Sequence, residues 1–536
     1  MNDSSQYLLN DEAMQRFIIE GYTQLKSELP DAYHARMYVG LEPLDETGPL
    51  GHNNLLPCVP DLRLMLNEPQ VVGALTSILG PDYYLHFHRH DHVNFPDGAQ
   101  PLHKDSDNHS HHAIDGLRRY HKTRFAMLLY YPQDTPVEMG PTGIVPRSQY
   151  VSRRDVDRLK KHGDQLRAEI LEQIRQSMDA TAFEGKNRFK RYAETESEFR
   201  VRYPDLVEKI EATSAPWEDA KIPLAGDAGT ISIVHFDIVH GRFSANLTGK
   251  QRHMVKFVFC RNEEPTTPSW NHRDPVWLGG EDDCQTPIWK HVWAWHLGTN
   301  DSPVSPRSTG ELSELLDDQD DKLAISAAYE LGSISEGFEV LLEKFLSDNL
   351  EVRSIAGYGL VRAGGDAIPR LLAKLEGADP ALQARIIDVI GDIGLEASDA
   401  APVLTALAAS SDVGVRRTAI EALGVVSQAE EPTTARVLAA LENALIDEDA
   451  VVVRNATLAL ARLGSKAKSD TVVDRVSRNL SHWHHHVRGW SIEALQQMDD
   501  PQAMKLALQY LMSARWDYAS KTGDLDATSQ PMREPT

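Results

Sequence analysis

The tripeptide HKD at residues 103–105 sets an imidazole and a carboxylate two positions apart. In extended chain, residues i and i+2 face the same way. His103 and Asp105 can therefore reach one metal ion while Lys104 points away. Two imidazoles and one carboxylate on one face of a metal leave three coordination positions open, the arrangement of non-heme Fe(II) oxygenases. The second imidazole must come from a distant strand. The tripeptide begins a histidine-rich loop, PLHKDSDNHSHH (residues 101–112), in which His109, His111 and His112 read as a solvated rim or lid. Two rival ligand sets stay open. One is a second His-x-Asp, His235 and Asp237; the other is the alternating trio His88, His90 and His92, which would make a three-histidine site.

The surroundings of the tripeptide are ordered in a telling way. QPLHKD is followed by MGPTGIVPRSQY (residues 139–150) and then by GDAGTISIVHFDIVHGRFSANLTGKQR (residues 226–252). This set resembles the phytanoyl-CoA dioxygenase family of Fe(II)/2-oxoglutarate oxygenases, as does the opening YLLNDEAMQRFIIEGYTQL. The resemblance covers about residues 7–261 and implies a function: hydroxylation of a small-molecule or carrier-bound organic substrate, with Fe(II), 2-oxoglutarate and dioxygen. It also implies roles for particular residues. His103, Asp105 and His240 match the iron ligands, and Arg252 matches the residue that holds the distal carboxylate of 2-oxoglutarate. Asn246 and Ser244 match further cosubstrate-side positions. The chain departs from the family at Arg147-Ser148-Gln149, where Gly-Ser-His is usual, and in one extra residue between His240 and Asn246.

The elements that would carry such a site are legible as β-like runs. These are YYLHFHRHDHVNF, RFAMLLYYP, IVPRSQYV, GTISIVHFDIVHG and RHMVKFVFC, with an opening helix at DEAMQRFIIEGY and irregular chain to about residue 81. A charged helical insert at about residues 153–211 interrupts them; it reads as solvated, with its basic start a possible contact for an anionic substrate. Strands, a helical insert and more strands suit a double-stranded β-helix (a jelly roll or cupin-like barrel) with helices outside. The segment PVWLGGEDDCQTPIWKHVWAWHLG reads mostly as packing.

The second half has a different grammar. Arg353, Arg385, Arg416, Arg454 and Arg488 recur at spacings of 32, 31, 38 and 34, with Asp348, Asp379, Asp412 and Asp449 shortly before the first four. A repeat of this length means a helical solenoid. The copies, such as EVRSIAGYGLVRAG and VVRNATLALARLG, resemble HEAT repeats, which implies an all-α solenoid able to dock a protein partner. The Asp and Arg residues are expected to form a ladder along the repeats. The run SHWHHHVRGW, with His482, His484, His485 and His486, reads as a solvated turn rather than a metal patch. The expected layout is an oxygenase domain over 1–299, a linker over 300–320, a solenoid over 321–515 and a disordered tail over 516–536.

Composition narrows the classes. The 536 residues exceed one hydrophobic core. A net charge of -24 argues against nucleic-acid binding, which needs basic surface. Three widely spaced cysteines make no disulfide framework, so a cytoplasmic setting is expected. No apolar run approaches a spanning helix. The rival function is a scaffold: an oxygenase-like half without activity, with the solenoid carrying protein–protein contacts. The intact set His103, Asp105, His240 and Arg252 argues against it.

Overall fold

The structure, a computed structural model, describes residues 4–46, 55–93, 101–105, 121–152, 154–178, 188–273, 277, 283–300, 303–429 and 434–513. The first half is sheet-rich. Its strands are β1 (Tyr22–Lys26), β2 (Tyr84–Asp91), β3 (Phe125–Tyr131), β4 (Thr142–Val145), β5 (Ile222–Pro223), β6 (Thr230–His235), β7 (Val239–Arg242) and β8 (Val255–Cys260). They form two antiparallel sheets, ordered β1-β6-β3-β8-β2 and β5-β4-β7. Strands β3, β6 and β8 are buried along their whole length, as central strands covered on both faces must be.

The run GTISIVHFDIVHG divides into two strands in different sheets, separated by a turn at residues 236–238. The expectation of irregular chain before residue 81 is corrected. Strand β1 and helices Asp31–Glu46, Leu55–Cys58, Leu62–Leu66 and Pro69–Leu79 lie there. Two of these helices, Leu55–Cys58 and Leu62–Leu66, are too short for a periodic signal. The opening helix, Asp11–Glu20, starts where Asn10 Oδ1 accepts from Ala13 N at 2.8 Å and stops at Gly21. Gly21 sits at φ +82°, and a Cβ there would meet Gln149 Oε1 at 2.6 Å. Two reasons thus require glycine at one position.

Among the described residues, the insert contains helices Arg154–Ser177, Arg188–Arg202 and Pro204–Asp219. Its surface carries local ion pairs such as Arg200–Glu196 and Arg202–Glu198, as expected of a solvated face.

The second half is a stack of helix pairs, from Gly337–Phe345 with Leu350–Ala363 to Asp470–Arg478 with His485–Gln497. The recurring aspartates act chiefly as N-caps. Asp379, Asp412 and Asp449 accept from backbone N–H groups of their own helices, while Asn349 rather than Asp348 caps Leu350–Ala363. A ladder does form at one junction: Arg416 Nε lies 3.0 Å from Asp447 Oδ2, and Arg417 Nε lies 2.8 Å from Asp449 Oδ1.

The halves share one hydrophobic core, running from Met14 to Ala507. Helix Thr309–Leu315 falls inside the stretch expected to be linker. Arg124 Nε and Nη2 reach both oxygens of Glu264 at 2.6 and 2.9 Å, and Lys122 Nζ donates to the carbonyls of Asp392 and Ile393. His121 stacks on Tyr358, with ring centroids 3.8 Å apart, and its Nδ1 lies 2.8 Å from the Tyr329 hydroxyl. Trp490 meets Tyr84, His86 and Phe87 edge-on.

This overturns the solvated reading of the late histidines. His484, His485 and His486 are buried, and His486 packs on Phe87. The tryptophan segment packs as expected: Trp289, Trp293 and Trp295 are buried in helix Thr286–His296. The tail over 516–536 lies outside the described residues. Among those described, no helix is long and apolar enough to cross a membrane.

Candidate metal centre

The chain before Asp105 runs antiparallel to β7, and His103 and His240 exchange both backbone hydrogen bonds at 2.9 Å. Directly opposed residues of such a pair project their side chains on the same face. The two rings accordingly stand 4.4 Å apart, centroid to centroid. His103 Nδ1 lies 3.0 Å from Pro101 O, and His240 Nδ1 lies 3.0 Å from Ile238 O. A carbonyl only accepts, so each Nδ1 carries a proton, and Nε2 is the ring atom turned to the site. This is how metal-binding imidazoles are commonly oriented.

Asp105 completes the group. Its Oδ1 lies 3.7 Å from His103 Nε2 and 4.0 Å from His240 Nε2. One ligand atom from each of the three residues falls within 4.8 Å of the others. Among the described residues, no other group of three or more His, Cys, Asp or Glu residues meets that condition. Burial, and then the neighbouring His103, push His240 down to about 3, so it presents a neutral imidazole. His103 is the most open of the three, its side chain 32% exposed against 8% for His240 and 4% for Asp105. Lys104 points away as expected, its Nζ 3.4 Å from Gln149 O. The insert braces this segment: Lys160 Nζ donates to Leu102 O at 2.8 Å, and Trp217 packs where Leu102 meets Val145 and Val239.

Arg252 is 5% exposed, and its Nε and Nη1 have no hydrogen-bond partner. Burial lowers its pKa from the ordinary arginine value. Burial, with His90, Lys256 and Arg252, holds the half-buried His92 well below the ordinary histidine value, against the opposite pull of Asp105. Asn246 is buried, and its amide closes its own loop. Nδ2 donates to Lys250 O, and Oδ1 accepts from Thr248 N and Oγ1. Ser244 Oγ donates to Val137 O. These two residues shape the loop between His240 and Arg252.

The rival sets fare differently. His235 Nδ1 accepts from Asp237 N at 3.1 Å, which engages that lone pair in the turn. His90 and His92 stand edge to face at 4.3 Å, while the side chain of His88, with His109, His111 and His112, lies outside the described residues. The sequence reading missed Lys256, whose Nζ lies 2.6 Å from Asp105 Oδ2. Its signal was a single cation inside the apolar run VKFVFC.

A family model for HEAT repeats matches residues 368–461. No curated protein is matched. Among solved structures, similarity is found to the non-heme alpha ketoglutarate dependent carbocyclase SnoK from nogalamycin biosynthesis. The identity is 15%, covering 48% of this chain and 85% of that one, at a TM-score of 0.31. EctD from S. alaskensis with bound Fe is similar at 14% identity, 48% and 78% coverage and a TM-score of 0.30. An engineered protein is similar at 22% identity, 36% and 96% coverage and a TM-score of 0.27. These overlaps are low, so the reading of the site rests on its own geometry.

Proposed function

We propose that the chain is an Fe(II)- and 2-oxoglutarate-dependent dioxygenase of the phytanoyl-CoA dioxygenase type, hydroxylating a small-molecule or carrier-bound organic substrate. The observation that carries this is the convergence of His103, Asp105 and His240 with both Nε2 atoms turned inward. Two imidazoles and one carboxylate suit Fe(II) and leave open positions. Arg252 fits the cosubstrate. Unpaired guanidinium donors in a buried site are costly, and a carboxylate would satisfy them as a fork. When bound, iron with 2-oxoglutarate and dioxygen supplies the oxidising power for hydroxylation of a C–H bond.

The protein's own residues supply position and environment. His103 and His240 are held by their Nδ1 hydrogen bonds and the backbone bridge between them. Arg252 orients the distal carboxylate, and Asn246 and Ser244 hold the loop that delivers it. The two sheets are read as the walls of a double-stranded β-helix within a domain spanning 1–299. The solenoid over 321–515 is read as a brace for that domain, because its helix ends bind Lys122 and Arg124.

The test is an anaerobic titration with Fe(II) and 2-oxoglutarate, followed by visible absorption. Wild type should develop a charge-transfer band that Asp105→Ala and His240→Ala lack. Absence of the band in folded wild type would sink the oxygenase reading in favour of a scaffold.

A further inference from the structure

Lys256 is the second residue of β8, between Val255 and Phe257, which are both fully buried. It lies opposite Leu129 of β3 and His90 of the edge strand β2, inside the five-stranded sheet. Lysine is rarely buried there without a partner, and the partner here is Asp105 Oδ2 at 2.6 Å. Both side chains are nearly sealed from solvent, 6% and 4% exposed. The carboxylate is thus divided: Oδ1 faces the two Nε2 atoms, and Oδ2 is bound to an ammonium.

We propose that Lys256 sets the charge of the metal centre and thereby makes metal binding depend on an anionic cosubstrate. The inference rests on the oxygenase reading and deepens it. An imidazole that ligates a metal is neutral, so His103 and His240 add no charge as ligands, and Asp105 is offset by Lys256. The protein ligands with their ion partner sum to zero, whereas a triad without the lysine would carry one negative charge. A divalent cation entering this pocket keeps both its charges and meets the ammonium one carboxylate away. In a buried site such charge is weakly screened, so the metal alone is held loosely. A dianion such as 2-oxoglutarate supplies the missing negative charge, with Arg252 taking its far end. By linkage, each ligand then tightens the other by the same factor. Lys256 also holds Oδ2, so Asp105 offers the metal one oxygen. It is a positioning residue, acting through Asp105.

The experiment is a calorimetric and visible-absorption titration with cobalt(II), with and without saturating 2-oxoglutarate. Wild type is compared with Lys256→Gln, which retains a hydrogen bond to Oδ2 but removes the charge. In wild type, 2-oxoglutarate should tighten cobalt binding by about tenfold or more. In Lys256→Gln, cobalt alone should bind about tenfold more tightly, and the coupling should fall to about threefold or less. Unchanged cobalt affinity in the variant, or weaker binding, overturns the charge role. Should the variant fail to fold, wild type decides alone: cobalt binding that ignores 2-oxoglutarate overturns the proposal. If wild type does not bind cobalt even with saturating 2-oxoglutarate, or Asp105→Ala binds it equally well, the oxygenase reading itself fails, which is a separate result.

Discussion

Arg124, on the sheet-rich side, places Nη1 2.7 Å from Oδ1 of Asp392, on solenoid helix Pro380–Ile393. The guanidinium side chain is 1% exposed, and its other edge is taken by Glu264. Removing one partner of a buried pair leaves charge uncompensated. Asp392→Ala should therefore cost about 3 kcal/mol, at the lower end for buried pairs because Glu264 remains. Since the core runs through both halves, wild type should unfold in one transition. Urea unfolding followed by tryptophan fluorescence and by far-UV circular dichroism checks both points. Separate transitions for helix and sheet would show that the interface does not couple the halves.

Acid should unfold the protein early. Burial holds His484 down to about 2, and holds His121, His291, His296 and His486 well below the ordinary histidine value. In the unfolded chain each binds a proton near pH 6.5, whereas in the folded chain each stays neutral. Below that pH the unfolded state holds more protons, so stability is full above about 6.5 and falls as pH drops. Each such histidine contributes up to about 1.4 kcal/mol per pH unit. Glu264 acts in the same direction at lower pH. Burial alone would raise its carboxyl, but the Arg124 fork outweighs that and holds it well below the usual carboxylate range. The melting temperature should be level from pH 8 to 7 and drop steeply between about 6.5 and 5. A level profile down to pH 5 would contradict the buried neutral histidines.

Much of this fold is written locally, and the exceptions share a cause. The solenoid is legible because its contacts recur at nearly fixed spacing: the caps at Asp379, Asp412 and Asp449 repeat with the helices they start. The pair His103 and Asp105 shows as a local spacing, and His240 was reachable only through resemblance, since its partnership with His103 joins residues far apart in the chain. The same distance hid Lys256 behind an apolar strand. It also hid the fate of His484, His485 and His486, whose composition says solvent, while His86 and Phe87 from the other half pack on the last of them. Polar residues buried by a partner from the other half leave no periodic trace. The stretch expected as linker also holds local order that its composition hid: Pro, Ser and acidic residues mark loops, yet Ser308 there is the N-cap of a short helix.

Arg252 should show opposite effects on stability and on binding. Its Nε and Nη1 are buried without partners, so the protein without cosubstrate bears their desolvation cost. Arg252→Met removes those donors and keeps much of the stem's packing. It should stabilise the cosubstrate-free protein by about 1–3 kcal/mol, the usual cost of an unsatisfied buried group. The same change should weaken 2-oxoglutarate binding by about 10- to 100-fold, the loss expected for a charge-assisted fork of about 1.5–3 kcal/mol. Arg252→Lys should recover only part of the affinity, because an ammonium supplies charge without the planar pair of donors. Thermal melts with and without 2-oxoglutarate read both effects at once. Wild type should gain in melting temperature on adding it, and Arg252→Met should start higher and gain less. A variant that starts lower would mean that Arg252 is a structural residue whose partners are satisfied within the protein.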